Sequence, residues 1–462
     1  MRTAASAAMA RPMSAQAAAD RGSQSAADLR NLAMRTAPRA KPEAVGAPGP
    51  AGMGKATRCM TVTGFGFRRR LPVLAAWLPA ALGRWWPKLV ARWPLILVSA
   101  GAGLFALRNL AGVVHFALHR AGEGDFALYY IFARIGLRHG FGALYDLAAQ
   151  RQEWLSLGSK FFYPAIFTPP VAWLVAPFAV FPFPVAYSLW NALLGLATLI
   201  TWWLLAPGKG LNRLAHLAVA LALPLVAFGL LLGQVVILVA AAVALSWWLL
   251  RRGRPLLAGL ALSLIALKPQ LAFLVPLALL VTGQWRLFAG WLSGSAAMLL
   301  VALLTLGPAN LHVYLLRLLA TGKSLDASLV PVQLTVSGLL GNGAAALIAQ
   351  AVIAGLLLWL CRRRRSPEFA IAAGLCGSVL ITPYLHAQDL GVLLASAWLY
   401  LRTEPAVAER IPVIVGYLAA GLLATPLPLL ITVGGWTATT LSPGQLRLSA
   451  IPRPANVRSG RS

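Results

Sequence analysis

The sequence predicts an all-α fold, a polytopic bundle of transmembrane helices, and two observations carry that expectation. Of 462 residues, 59% are hydrophobic and 11% are charged, which leaves too little polar surface to coat a soluble globule. Apolar runs recur from residue 91 to residue 434, most of them about 17–25 residues long and able to cross the hydrocarbon as a helix. Lipid offers no partner to an unpaired peptide group, so such runs must close their hydrogen bonds internally.

Three regions follow. Residues 1–90 read as a disordered basic tail ending in an interfacial segment, 91–434 as the membrane domain, and 435–462 as a second basic tail. Residues 1–70 are rich in Ala, Arg, Ser, Gly and Pro, with scarcely an aromatic before Phe65, and such a composition cannot bury a core. An Arg- and Ser-rich start mimics a transit peptide; a basic cytoplasmic tail is the preferred reading. Residues 71–90 are apolar but interrupted by Arg84 and Lys88, as in a segment lying in the interface.

Candidate spans then fall near 94–116, 163–181, 185–206, 214–232, 235–250, 256–282, 287–306, 344–361, 369–385, 388–401 and 411–434. The stretch 256–282 is interrupted by Lys268-Pro269, so it is one kinked helix or two short ones. The expectation is about 11–12 helices. Two connections exceed simple turns, 119–162 and 307–343. In the first, Phe126, Tyr129, Tyr130, Phe132 and Ile135 make a helical apolar stripe, so this loop is expected to be structured, possessing a face for the membrane surface.

The chain carries 40 Lys and Arg against 12 Asp and Glu, a formal charge of +28. The basic residues gather in the two tails, at Arg251–Arg254 and at Arg362–Arg365, where cytoplasmic flanks of membrane helices collect them. No aromatic-basic interleaving points to nucleic acid. A cytoplasmic N-terminus places loop 119–162 outside, and counting then puts Arg251–Arg254 outside as well. One crossing more or fewer between 163 and 233, or a re-entrant segment, repairs this; the Pro-dense stretch 164–184 is the leading candidate. Cys59, Cys361 and Cys376 make no disulfide framework or metal spacing, and no HExxH or Gly-rich phosphate loop occurs. No metal and no cofactor are expected.

Few groups are placed to do chemistry. Asp125 follows directly on the first full span and is either a proton acceptor or a helix cap, roles that are compatible. Lys268 sits deep in an apolar run, where a charge needs a partner or a wet cavity; an anionic phosphate is one such partner, snorkelling to an interface the plainer account. His386 and Asp389 are three residues apart and share a face if helical, to bind a phosphate or to form a polar turn. Gln234 caps a helix or contacts a ligand. Arg317, Gln333 and Asn342 are weaker candidates for lining a cavity. The Trp pairs at 85–86, 202–203 and 247–248 read as interfacial anchors.

These pieces come in a familiar order: Gly124-Asp125-Phe126 with Tyr129-Tyr130, Leu144-Tyr145-Asp146, Phe162-Tyr163-Pro164 leading to Pro169-Pro170, Gly233-Gln234, Arg251–Arg254 with Ala258-Gly259, Lys268-Pro269, Gln284-Trp285-Arg286, and Thr382-Pro383-Tyr384 with His386 and Asp389. Across about 94–402 the chain resembles the polyprenol-phosphate-mannose-dependent α-mannosyltransferases of glycosyltransferase family 87, in the GT-C superfamily. Order and spacing carry the likeness, since each element is two to four residues. The resemblance implies an acid in the first external loop, Asp125, as catalytic base, Lys268 as a ligand of the donor phosphate, and His386 as a further active-site residue. Gln234, Tyr163, Asp389 and Arg317 join them as expected donor- or substrate-binding residues. It also implies a polyprenyl-phosphate sugar donor, inversion at the anomeric carbon, and a site on the extracytoplasmic side of the plasma membrane. Val330-Pro331-Val332-Gln333-Leu334 and the long basic tail depart from the family pattern. The expected function is transfer of a hexose, mannose by the resemblance, to a glycolipid or polysaccharide acceptor, with the lipid bilayer and no nucleic acid as further partners. A multi-helix transporter and a non-catalytic envelope assembly protein are the alternatives.

Overall fold

The computed structural model describes residues 74–158, 162–324, 334–341, 343–383, 385–423 and 425–441. The expected disorder of 1–70, the basic C-terminal tail beyond Leu441, and Gln333, Asn342 and Tyr384 lie outside them. Residues 71–73 of the interfacial segment lie outside as well, and its remainder is the start of a long helix. The chain is a polytopic helical bundle. Its described residues form seventeen α-helices and no strand.

The first helix, α1 (Leu74–His119), contains the long apolar stretch Trp93–His119. Three more helices are long and apolar enough to cross a membrane: α5 (Phe183–Leu205), the first part of α11 (Trp285–Ser324), and α13 (Ala344–Arg364). Their large apolar side chains are widely exposed, for example Leu104 at 70%, Leu304 at 76% and Leu347 at 66%. Hydrocarbon is the solvent such faces fit.

Other expected spans are broken, and proline accounts for the breaks. Run 163–181 contains only an eleven-residue helix, α4 (Pro169–Ala179), behind an extended stretch; at 1.5 Å per residue it reaches about 16 Å, roughly half the hydrocarbon thickness. Run 214–232 divides at Leu223-Pro224 into α6 (Leu211–Ala222) and α7 (Pro224–Leu232), bent by 62°. Helices α8 (Val236–Arg251) and α9 (Pro255–Leu262) follow. The rest of 256–282 becomes two 3₁₀ turns, Ser263–Leu267 and Pro269–Leu271, followed by α10 (Leu274–Val281). Run 411–434 is a helical hairpin, α16 (Val407–Leu423) and α17 (Leu427–Leu441), turned next to Pro426.

The first long connection is structured. Helix α2 (Asp125–His139) buries its whole expected stripe, with Phe126, Tyr129, Tyr130, Phe132 and Ile135 each at most 2% exposed. That face packs on protein, against α4 and the aromatics of α5, rather than on a membrane surface: Phe126 stacks on Trp190 at 5.4 Å, and Tyr129 meets Phe167 edge-on at 4.6 Å. Asp146 caps α3 (Leu147–Ser156) by accepting from the Ala148 N–H at 2.8 Å. Buried Gln150 then ties α3 to the extended stretch, donating to the Ala165 carbonyl (3.0 Å) and accepting from the Ala165 N–H (2.8 Å). At the centre of the bundle, α14 (Pro367–Ile381) is buried from Phe369 through Leu380; a helix apolar all round belongs inside.

Candidate active site

Four separate segments meet at one cavity of about 930 Å³: the start of α2, the turn after α7, the break at Lys268-Pro269, and the 3₁₀ turn Ala387–Val392. Asp125, Gln234, Lys268, His386 and Gln388 all line it.

The turn after α7 is fixed by local geometry. Gly233 has φ +72, and its N–H bonds the Leu230 carbonyl (3.1 Å) while the Gln234 N–H bonds that of Gly229 (2.8 Å). This is a Schellman motif, which needs a left-handed residue at Gly233. A side chain there would also lie 2.7 Å from Phe126 Cβ. The motif ends α7 and turns Gln234, 3% exposed, toward the cavity. Gln234 Nε2 donates to Asp125 Oδ2. Its Oε1 accepts from Tyr129 Oη at 3.0 Å and from Lys268 Nζ at 3.2 Å. Acid and ammonium are one amide apart.

Lys268 leaves the helical path because Pro269 has no N–H to continue it. Its backbone is non-helical, φ −151 and ψ 73. Thr168 Oγ1 compensates for the interruption by donating to the Ala266 carbonyl (2.8 Å) and more weakly to that of Leu267 (3.3 Å). The ammonium forms an ion pair with Asp389, which is 1% exposed. Gln234 and Asp389 occupy two of its three donors; among the described residues nothing takes the third, which is available to an anion. Asp389 is held in turn: its Oδ2 accepts from the His386 N–H at 3.4 Å and its own N–H bonds the His386 carbonyl at 2.9 Å.

Asp125 is the first residue of α2, capped by Gly124, and its side chain makes no capping bond. The cap role therefore falls away. Both amides that reach it, Gln234 and Gln388 (3.5 Å), bond Oδ2; among the described residues none is recorded on Oδ1. Burial raises its pKa above the ordinary carboxylate range, against the pull of Lys268, the Gln234 hydrogen bond and His386. A carboxylate with a raised pKa and a free oxygen on a cavity is a competent proton acceptor.

The structure thus brings together Asp125, Gln234, Lys268, His386 and Asp389 from the expected set. Tyr163 is not among the cavity's lining residues; it is 58% exposed on the extended stretch, whose Ile166, Phe167 and Thr168 face the cavity instead. Arg317 lies on α11 between the lining residues Tyr314 and Leu318, without lining the cavity itself, and its Nη1 is buried with no hydrogen-bond partner among the described residues. Sequence reasoning missed Tyr129 as a polar contributor, and Gln270, Gln388 and Gln350 as lining residues. Gln350 carried a readable signal, an amide inside an otherwise apolar run. Tyr129 did not, because its ring alone explained its place in the stripe.

Residues 161–383 match the family model described as Glycosyltransferase family 87. The matched stretch is just under half of the chain. The match supports a membrane glycosyltransferase, in line with the resemblance. The match takes in Gln234 and Lys268 and excludes Asp125 before it and His386 and Asp389 after it. No curated protein and no solved structure matches the chain.

Proposed function

We propose that this glycosyltransferase moves a hexose, mannose by family likeness, from a polyprenyl phosphate to a hydroxyl of a glycolipid or polysaccharide, on the outer side of the plasma membrane. The observation that carries the reading is the pairing of Asp125 and Lys268 on one cavity wall, joined through Gln234. The chemistry needs those two groups. Oδ1 of Asp125 takes the acceptor hydroxyl's proton while the oxygen attacks the anomeric carbon. The bond from that carbon to the phosphate oxygen breaks as the new bond forms, so configuration inverts and the lipid phosphate leaves with the electron pair. The third N–H of Lys268, with His386 at the cavity edge, stabilises the departing charge. A volume of about 930 Å³ admits a sugar, a phosphate and part of an acceptor together.

The test is incubation of membranes holding the protein with radiolabelled polyprenyl-phosphate-mannose. A labelled lipid or polysaccharide product, absent with Asp125→Asn, is the expected result. Near-normal product from Asp125→Asn removes the mechanism. Uptake of labelled solute into proteoliposomes without covalent product removes the sugar-transfer reading altogether.

A further inference from the structure

Gln234 was expected to contact substrate, yet the protein itself takes up both acceptor sites of its oxygen and one of its two N–H donors. The amide is buried, its oxygen receives two donors, Tyr129 Oη and Lys268 Nζ, and its nitrogen serves Asp125. Two donors on one oxygen fix which way an amide points, since a flipped amide would face both with N–H groups. The bond from Nε2 to Oδ2 in turn orients the carboxylate of this cavity-lining residue, and among the described residues Oδ1 carries no hydrogen bond.

We infer that Gln234 is a positioning residue, whose amide is locked by Tyr129 and Lys268 and aims Asp125 at the acceptor hydroxyl. This rests on the reading of Asp125 as the base. It assigns Tyr129 a part as well: its hydroxyl reaches the reaction through the amide. Lys268 has two duties, one toward the leaving phosphate and one toward the amide, so acid and cation are set by a single group and cannot drift independently.

Gln234→Glu separates the inference from its rivals. The substituted side chain keeps acceptors for Tyr129 and Lys268 but loses the donor to Asp125, and it places a second carboxylate against the first. Like charges at that range keep one proton on the pair. The other groups facing Asp125 are unaltered: Lys268 and His386 favour its ionised form, Asp389 opposes it, and Gln388 still donates. Because the active base is the ionised form, activity is lost as pH falls through its pKa. Gln234→Glu therefore moves the acid limb of the kcat profile upward by a unit or more, roughly, and lowers kcat near neutrality about 100-fold. KM stays within about 3-fold, since no substrate contact is removed.

Labelled transfer is measured against pH for the parent, Asp125→Asn, Gln234→Glu and Tyr129→Phe in the full chain. Activity in Asp125→Asn sinks the base assignment itself. With Asp125→Asn inactive, a raised KM and an unmoved acid limb in Gln234→Glu make Gln234 a substrate ligand and overturn the inference. Tyr129→Phe leaves Gln234 in place and removes one of the two bonds orienting it, so it serves if Gln234→Glu does not accumulate. Its expected signature is a kcat lower by roughly 5- to 10-fold, the worth of one hydrogen bond, at constant KM. An unchanged kcat and acid limb in Tyr129→Phe likewise overturns it.

Discussion

Two regions of this molecule bury carboxylates beside cations, with opposite outcomes. In the first long connection, Glu153 is 2% exposed and receives Arg134 at 3.0 Å and Arg138 at 3.2 Å, with His139 close by at 3.4 Å. Those three basic residues come from α2 and Glu153 from α3, so the cluster staples two neighbouring helices. At the cavity, Asp389 is as deeply buried and, among the described residues, forms an ion pair with Lys268. One cluster is saturated and borders no described cavity. The other, among the described residues, leaves an ammonium N–H of Lys268 and one oxygen of Asp125 unbonded on residues that line a cavity of about 930 Å³. A buried charge is thus a poor marker of chemistry by itself; an unspent valence beside a volume is a better one.

The sharpest way to break that comparison is to neutralise Asp125. Asp125→Asn keeps shape and polarity, so transfer should fall on the order of 10²–10⁴-fold, the usual contribution of a general base, while membrane insertion persists. The radiolabel assay reads it directly. Next in size is Lys268→Met, with an expected loss of roughly 100-fold in transfer. Removing one partner of a buried pair leaves Asp389 uncompensated and costs about 3–5 kcal/mol, so folding must be controlled. The double variant Lys268→Met/Asp389→Asn removes both charges; it should recover thermal stability in detergent and remain inactive. Recovery of transfer in the double variant would show that the ammonium serves Asp389 alone.

Glu153→Gln tests the other region. It leaves two arginines and a histidine without their anion, and a cost of about 3 kcal/mol is expected from losing a buried partner, somewhat less because Arg138 is 55% exposed. Thermal unfolding should come earlier, while kcat per folded molecule stays within about 2-fold. A large kcat loss at unchanged stability would place the Glu153 cluster in the reaction and erase the contrast.

How much of this was legible beforehand follows the range of each interaction. The membrane bundle was readable because composition and run length are properties of the chain itself. The stripe on α2 and the break at Lys268-Pro269 were readable for the same reason, being set by spacing and by a missing N–H. The hairpin within 411–434 and the short helix in 163–181 were obscured because hydropathy averages across prolines that end helices. Gln234 was visible as a residue and invisible as a hub. Its partners Tyr129, Asp125 and Lys268 lie 105, 109 and 34 residues away in sequence, and nothing local records that they converge. The resemblance supplied the order of the motifs, whereas the joining amide came from the fold.

Tyr163 gives the smallest effect and tests the rule from the other side. It entered the candidate set through a three-residue motif, and the fold leaves it 58% exposed, off the cavity wall that Phe167 and Thr168 help to build. Its backbone belongs to the extended stretch tied down by Gln150, and that tie uses Ala165 rather than the tyrosine. Tyr163→Ala should therefore change kcat and KM by less than about 3-fold, as surface substitutions without a buried partner usually do. A KM raised tenfold or more with stability intact would mean that an aromatic outside the cavity holds part of a substrate. The boundary between the working region and its supports would then have to be redrawn around the whole 162–168 stretch.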